Sequence, residues 1–129
     1  KLALKNKGSD KIALITDSMR AAGTSDNKSI LGSRKKGQEV LVEDGVAKMP
    51  DKQSFAGSIA TADRLVRNMY QMGGATVEEA VKMMSDVPAK IMGCDHYKGK
   101  LKKNYDADIV VFDSNITVKN VFINGILKI

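Results

Sequence analysis

Ile12 to Thr16 (I-A-L-I-T) is a short unbroken apolar run that ends in a polar pair, Asp17-Ser18. A half-exposed strand alternates apolar and polar side chains, because successive residues face opposite sides of the sheet. A run without alternation is the pattern of a strand buried on both faces, which favours a parallel α/β sheet over an antiparallel meander. In parallel sheets and closed β/α barrels, function sits beyond the carboxyl ends of the strands. Asp17 stands at that end, so it is the first candidate for chemistry. It has a plain structural alternative: T-D-S is a common helix-start pattern, in which the carboxylate caps the following turn with help from Ser18.

The rest of the chain supplies further elements. From Arg20 to Gly37 the composition turns to Gly, Ser, Asn and Lys without a period, which predicts a long loop. Glu39 to Val42 and Val46 to Met49 flank Glu43-Asp44-Gly45, a hairpin turn with Gly where a positive φ is needed. Asp51-Lys52-Gln53 makes a second turn before Phe55-Ala56-Gly57-Ser58. Ser58 is a good N-cap for a helix from Ile59 to about Met72, whose Ala62, Leu65, Val66 and Met69 share one face before Gly73-Gly74 ends it. Thr76-Val77-Glu78-Glu79 is a capping box opening a second helix with Val77, Ala80, Val81 and Met84 inward. Ser85 or Asp86 caps a third, with Pro88 in its first turn, closing at Gly93. Ile109 to Phe112 and Ile116 to Ile123 predict strands, and Asn124-Gly125 turns the chain into Ile126 to Ile129. A β-only tail after helices suggests a separate layer or small domain.

Composition narrows the partners. With 129 residues, 43% hydrophobic and 28% charged, the chain can bury a modest core as one soluble domain. Aromatics are only 5%, and seven Met take up packing instead, so Met69, Met72, Met83, Met84 and Met92 are expected in helix cores. The net charge of +6 would suit an anion, but the lysines are scattered. Only Tyr97 and Tyr105 flank the last Lys cluster, short of the basic, aromatic-lined face a nucleic acid needs. The lone Cys94 excludes an internal disulfide and agrees with a reducing compartment. Its neighbours Asp95 and His96 do not make a metal site, since consecutive residues rarely converge on one centre. Lys1 to Lys11 lack a signal peptide's apolar run, and no stretch approaches the ~20 apolar residues that span a bilayer. The expectation is a cytoplasmic protein with no nucleic acid and no membrane among its partners. The chain has no initial Met, and Leu2-Ala3-Leu4 followed by Gly8 resembles a helix tail. This is how a piece of a longer protein begins, although processing would produce the same start.

Taken together, these segments are more specific. I-T-D-S-M-R-A-A-G (Ile15 to Gly23), V-E-D-G-V-A-K-M-P-D (Val42 to Asp51) and F-A-G-S (Phe55 to Ser58) resemble segments of the N-acetylglucosamine-6-phosphate deacetylases, within the amidohydrolase superfamily. L-V-R-N-M (Leu65 to Met69) and P-A-K-I-M-G (Pro88 to Gly93) continue the match. Lys98 to Asp113 is similar to the re-entry strand of the superfamily, and V-F-I-N-G (Val121 to Gly125) to its closing hairpin. The likeness covers essentially the whole chain, in order. Two departures stand out. Lys103-Asn104-Tyr105 replaces a Pro-Gly-Lys-like turn, where Asn should tolerate a positive φ nearly as well as Gly. Phe55 replaces a more common Leu.

The resemblance implies an α/β fold: the C-terminal part of a (β/α)8 metal-dependent hydrolase barrel, then returning strands of a small β-sandwich. Residues 1–93 would hold the last barrel strand, a β-hairpin insertion and trailing helices, and residues 94–129 the sandwich strands. It implies hydrolysis of the N-acetyl group of N-acetylglucosamine 6-phosphate to glucosamine 6-phosphate and acetate. Asp17 matches the family's catalytic proton-transfer residue, and Phe55, Ala56 and Gly57 match its sugar-binding segment. The cofactor would be a divalent metal, zinc or iron, whose Glu and His ligands lie on earlier strands, as do the residues for the phosphate. His96, the one histidine, gets no catalytic role. The chain alone is therefore expected to be inactive, the complete enzyme to be a homodimer, and the run at Ile12 to lack its neighbouring strand and invite pairing. Another amidohydrolase with a different substrate is the runner-up; a non-catalytic module of the same fold follows, and a nucleic-acid-binding domain comes last.

Overall fold

A computed structural model describes all of residues 1–129. The elements in chain order are α1 (Leu2–Lys7), β1 (Lys28–Leu31), β2 (Gln38–Glu43), β3 (Val46–Lys48), β4 (Phe55–Gly57), α2 (Ala62–Asn68), α3 (Val77–Met84), α4 (Asp86–Ile91), β5 (Ile109–Phe112), β6 (Val118–Ile123) and β7 (Ile126–Leu127). They fall into two units, one of Lys1–Ile15 with Asp63–Ile129, the other Thr16–Ala62.

In the larger unit the helices gather around Met83, which is fully buried with Ala80. Val66, Ala75 and Ile116 complete that core, and Leu4, Ile12, Leu14, Met69 and Val77 pack on it. Helix α3 forms as its sequence predicts. Glu79 N–H donates to Thr76 Oγ1 at 3.2 Å while Thr76 N–H donates to Glu79 Oε2 at 2.8 Å, so both ends of the capping box are closed. Burying a Met side chain this completely contributes roughly 1.5–3 kcal/mol. Other methionines depart from expectation: Met72 and Met92 are 61% and 78% exposed, because each lies at or just past a helix end rather than on the inward stripe.

Strands β5, β6 and β7 form an antiparallel sheet in that order. Asn124 and Gly125 join β6 to β7 with φ of 50° and 76°, the two positive values a tight hairpin requires. The strand expected from Ile116 begins at Val118 instead. Asp113 accepts from the N–H groups of Asn115 and Thr117, which folds the intervening residues into a turn. Ile116 is there at φ 59°, a costly conformation for a β-branched residue, with its side chain 2% exposed. Arg67 holds the turn from outside: its Nε donates to Asn115 O at 3.0 Å and its Nη2 to Ile116 O at 2.8 Å. Asn104 takes φ 69°, so the turn that departs from the family pattern survives as expected.

One expectation is met, in that the run at Ile12 has no neighbouring strand, and two need correction. Ile12 to Thr16 is extended but joins no sheet, and Ile15 is 75% exposed. A strand is completed only by neighbours' N–H and C=O groups, and the run instead donates from Leu14 N–H to Met83 O at 2.9 Å. The ladders in the chain are antiparallel; the parallel contact is an isolated bridge described below. The helix expected at Ile59 starts at Ala62, because the backbone of residues 58–60 bonds elsewhere, and it unwinds into a wider turn at Met69–Gly73 before Gly74 at φ 85°.

The smaller unit is the four-stranded antiparallel sheet β1-β2-β3-β4 around Val40 and Ala47, both fully buried. The β2–β3 hairpin turns at Asp44 (φ 53°) and Gly45 (φ 74°) as predicted. Strand β1 was missed: Lys28–Leu31 lies inside the expected loop and pairs Ser29 with Val40.

Candidate active site

Asp17 follows the extended run within the smaller unit and takes φ 47°, in the left-handed region. Asp enters this region more readily than most residues, yet still at a cost, and such outliers cluster at functional sites. The residue is exposed, and its carboxylate makes neither a hydrogen bond nor an ion pair. It caps no turn. The structural alternative for Asp17 therefore fails: the helix-start pattern does not start a helix, and Ser18 is bonded elsewhere.

The residues after Asp17 are tied to the end of β4. Ser18 and Ser58 form a parallel bridge, and Met19 N–H donates to Ser58 O at 2.9 Å. Ser18 Oγ donates to Ala60 O, while Ala60 N–H donates to Ser58 Oγ at 3.0 Å. One residue, Ala60, is thus clasped by a serine from each segment, through its C=O and its N–H. One residue before the bridge on either side stand Asp17 and Gly57, so the structure brings together the candidates that the sequence separates by forty positions.

Strand β4 carries the other three candidates. It pairs with β3 through Lys48↔Phe55 and Ala47↔Gly57, with a register shift between. Phe55 is 77% exposed, a large apolar side chain with nothing over it, whereas Ala56 and Gly57 are half-buried. Gly57 is not left-handed. A Cβ there would meet Met19 Cγ at 3.5 Å, an ordinary contact, so the Met19 side chain covers that side of Gly57.

The donors for a metal do not fit. No three His, Cys, Asp or Glu side chains gather in a geometry that could hold an ion. Asp17 is one oxygen donor, where a zinc site takes three or four protein ligands. His96 packs edge-on against Tyr97 at 4.6 Å between centroids, and Cys94 is a half-buried free thiol.

Many lysines are spent on ion pairs. Lys98 spans Asp106 at 2.8 Å and Asp108 at 2.7 Å, contacts that raise its pKa, and Lys48 reaches both Glu43 and Asp44. Asp86 is 6% exposed between Lys90 and Lys100. Burial pushes its carboxyl up, but the two ammonium groups outweigh that and hold it below the usual range. No helix is long and apolar enough to cross a membrane.

Sequence reasoning missed the clasp. Locally Ser58 has the signature of a helix cap and Ser18 that of a helper to Asp17; no local signal reports a hydrogen bond between residues 42 positions apart.

Comparison with known proteins identifies the family of the chain. The profile of the Amidohydrolase family matches residues 3–127. An N-acetylglucosamine-6-phosphate deacetylase of Lysinibacillus sphaericus is 39% identical over 128 residues, covering 99% of this chain and 32% of that protein. An N-acetylgalactosamine-6-phosphate deacetylase of Escherichia coli O157:H7 is 38% identical over 116 residues, covering 90% and 29% respectively. The crystal structure of N-acetylglucosamine-6-phosphate deacetylase from Pasteurella multocida superposes with a TM-score of 0.88 at 29% identity, over 98% of this chain and 32% of that one. The chain thus spans about a third of the length of each. With a profile match across nearly its whole length and a mixed α/β fold shared with such a structure, the chain belongs to the amidohydrolase family.

Proposed function

We propose that this chain is the part of a deacetylase acting on N-acetylglucosamine 6-phosphate that supplies the proton-transfer carboxylate, Asp17, and a piece of the sugar wall, Phe55, Ala56 and Gly57. The products are glucosamine 6-phosphate and acetate. The observation that carries this reading is the state of Asp17. Its carboxylate is exposed and unpartnered, on a strained backbone, and the next residue, Ser18, is bridged to Ser58 at the end of the strand that resembles the family's sugar-binding segment. Amide hydrolysis needs a base that takes a proton from water and returns it to the departing amine, and one free carboxylate can do both in turn. Gly57 and Phe55 would meet the sugar from β4.

The family is generally metal-dependent, but these residues do not complete a metal site. A divalent ion, zinc or iron, would have its ligands in a further part of the enzyme. In that enzyme Ile12 to Thr16 would be the last strand of the barrel, with residues 94–129 returning to a β-sandwich. The complete protein would be a cytoplasmic homodimer.

The test is acetate release from N-acetylglucosamine 6-phosphate with added zinc or iron, for the complete enzyme and for residues 1–129 alone. The complete enzyme should be active, and Asp17→Asn should lower kcat at least about 100-fold, the usual share of a general acid–base. The 129-residue chain should release none. A loss under tenfold in the variant, or metal-dependent turnover by residues 1–129, overturns the reading. The galactosamine relative favours a second reading, in which the substrate is the 4-epimer. Comparing kcat/KM for the two epimers decides between them.

A further inference from the structure

The Asp17 carboxylate has no hydrogen-bond or ion-pair partner, so something besides its own polar contacts must fix where it points. The backbone immediately after it is anchored, and the anchor is the double clasp on Ala60. Ser18 Oγ reaches the Ala60 carbonyl, Ser58 Oγ takes the Ala60 N–H at 3.0 Å, and Met19 N–H closes the ring on Ser58 O at 2.9 Å. The Met19 side chain then lies across Gly57. Of these links, only the one from Ser18 comes from the residue bonded directly to Asp17. A left-handed aspartate is a sparsely populated state, which persists only where neighbouring structure over-determines it.

We propose that Ser18 is a positioning residue: its hydroxyl, held on Ala60, keeps Asp17 left-handed and sets its carboxylate against the Phe55–Gly57 strand. This rests on the reading of Asp17 as the proton-transfer group. Ser18 itself need not meet the substrate. Removing its hydroxyl should let the Asp17 peptide relax toward ordinary backbone angles and swing the carboxylate away, while the sugar wall on β4 stays in place. The consequence is a split effect, with the chemical step slowed and substrate binding kept.

The experiment uses Ser18→Ala and Ser18→Thr, the latter keeping the hydroxyl. In residues 1–129, amide hydrogen exchange at Met19 is compared with exchange at Val121 in the distant β5–β6–β7 sheet, and NMR reports the sign of φ at Asp17. In the complete enzyme, kcat and KM are measured for Ser18→Ala, Ser18→Thr and Asp17→Asn. Ser18→Ala should speed exchange at Met19 about tenfold with Val121 unchanged, and abolish the positive-φ signature. It should also lower kcat about tenfold at constant KM, and Ser18→Thr should restore all of these. Unchanged Met19 exchange, an unchanged kcat, or an equal rise in exchange at Val121 overturns the proposal; the last would mean a merely structural role. If Asp17→Asn remains active while Met19 still responds to Ser18→Ala, the clasp exists and the Asp17 reading is what failed.

Discussion

Replacing Arg67 by Met tests how the larger unit tolerates a left-handed isoleucine. Met keeps the aliphatic stem of Arg and removes the guanidinium, so packing along the stem changes little. What goes is the pair of bonds to the carbonyls of Asn115 and Ile116, at 3.0 and 2.8 Å, together with the ion pair to Asp63 at 2.8 Å. A hydrogen bond from a charged donor contributes about 1.5–3 kcal/mol when well shielded. The Arg67 side chain is 30% exposed, so water replaces part of that. The ion pair to Asp63 adds only about 0.3–0.5 kcal/mol, as such i,i+4 pairs do. Against this, Ile116 pays roughly 1–2 kcal/mol for its left-handed backbone whether or not Arg67 is present. It stays there because its side chain is buried beside Val66, Ala75, Ala80 and Met83. The net expectation is a loss of about 2–3 kcal/mol, read as a lower urea midpoint at constant m value. Arg67→Lys should fall between, since a single ammonium cannot reach both carbonyls in the planar geometry of the guanidinium. A loss below about 0.5 kcal/mol for Arg67→Met, the range of an ordinary surface change, would refute the idea that Arg67 holds the turn.

Other expectations follow from single sites. Gly99→Ala should destabilise by about 2–4 kcal/mol, combining a left-handed penalty with overpacking. The new Cβ at φ 87° would stand 2.9 Å from Ala89 Cβ and 3.0 Å from Asp86 Cα, and thermal unfolding measures the loss. The Thr117 N–H, with the Lys119 ammonium and the Asn115 N–H, holds the Asp113 carboxyl at about 2 against an ordinary 3.8. Its stabilisation is complete above pH 3.8 and disappears as pH falls toward 2. An acid titration of Asp113→Asn against the parent should show their stabilities converging in that interval. Asp17→Asn should leave stability within about 0.5 kcal/mol, because Asn accepts the left-handed region as Asp does and no carboxylate contact is lost. A clear drop in melting temperature would mean that Asp17 has a partner in solution.

Much of the fold was legible where the determinants are local. Asp44-Gly45 and Asn124-Gly125 dictate hairpins by their own backbone preferences, and the Thr76–Glu79 box closes within one turn. Elements whose definition depends on distant partners were not. Ile12 to Thr16 has the composition of a buried strand, but composition cannot supply the neighbouring strand that would make it one. Lys28–Leu31 is too short to show a period, and it becomes a strand only because β2 offers its edge. The helix expected from Ile59 was displaced because Ser58 and Ala60 are bonded across the chain to Ser18 and Met19. The site divides the same way. The identities of Asp17, Phe55, Ala56 and Gly57 came from resemblance, whereas their adjacency, the left-handed turn and the clasp exist only in three dimensions.

The uneven burial of the methionines gives the chain an internal gauge of its own opening. Thioether oxidation follows access to solvent. Met72 and Met92, which stand open to water, should react with peroxide at once. Met83, on the buried face of α3, should become a sulfoxide only in the moments when the helices part. The ratio of slow to fast oxidation, read by mass spectrometry, would therefore time the breathing of the core without any label. Because Met83 O is also the acceptor for Leu14 N–H, the same clock would register the loosening of the segment that leads to Asp17.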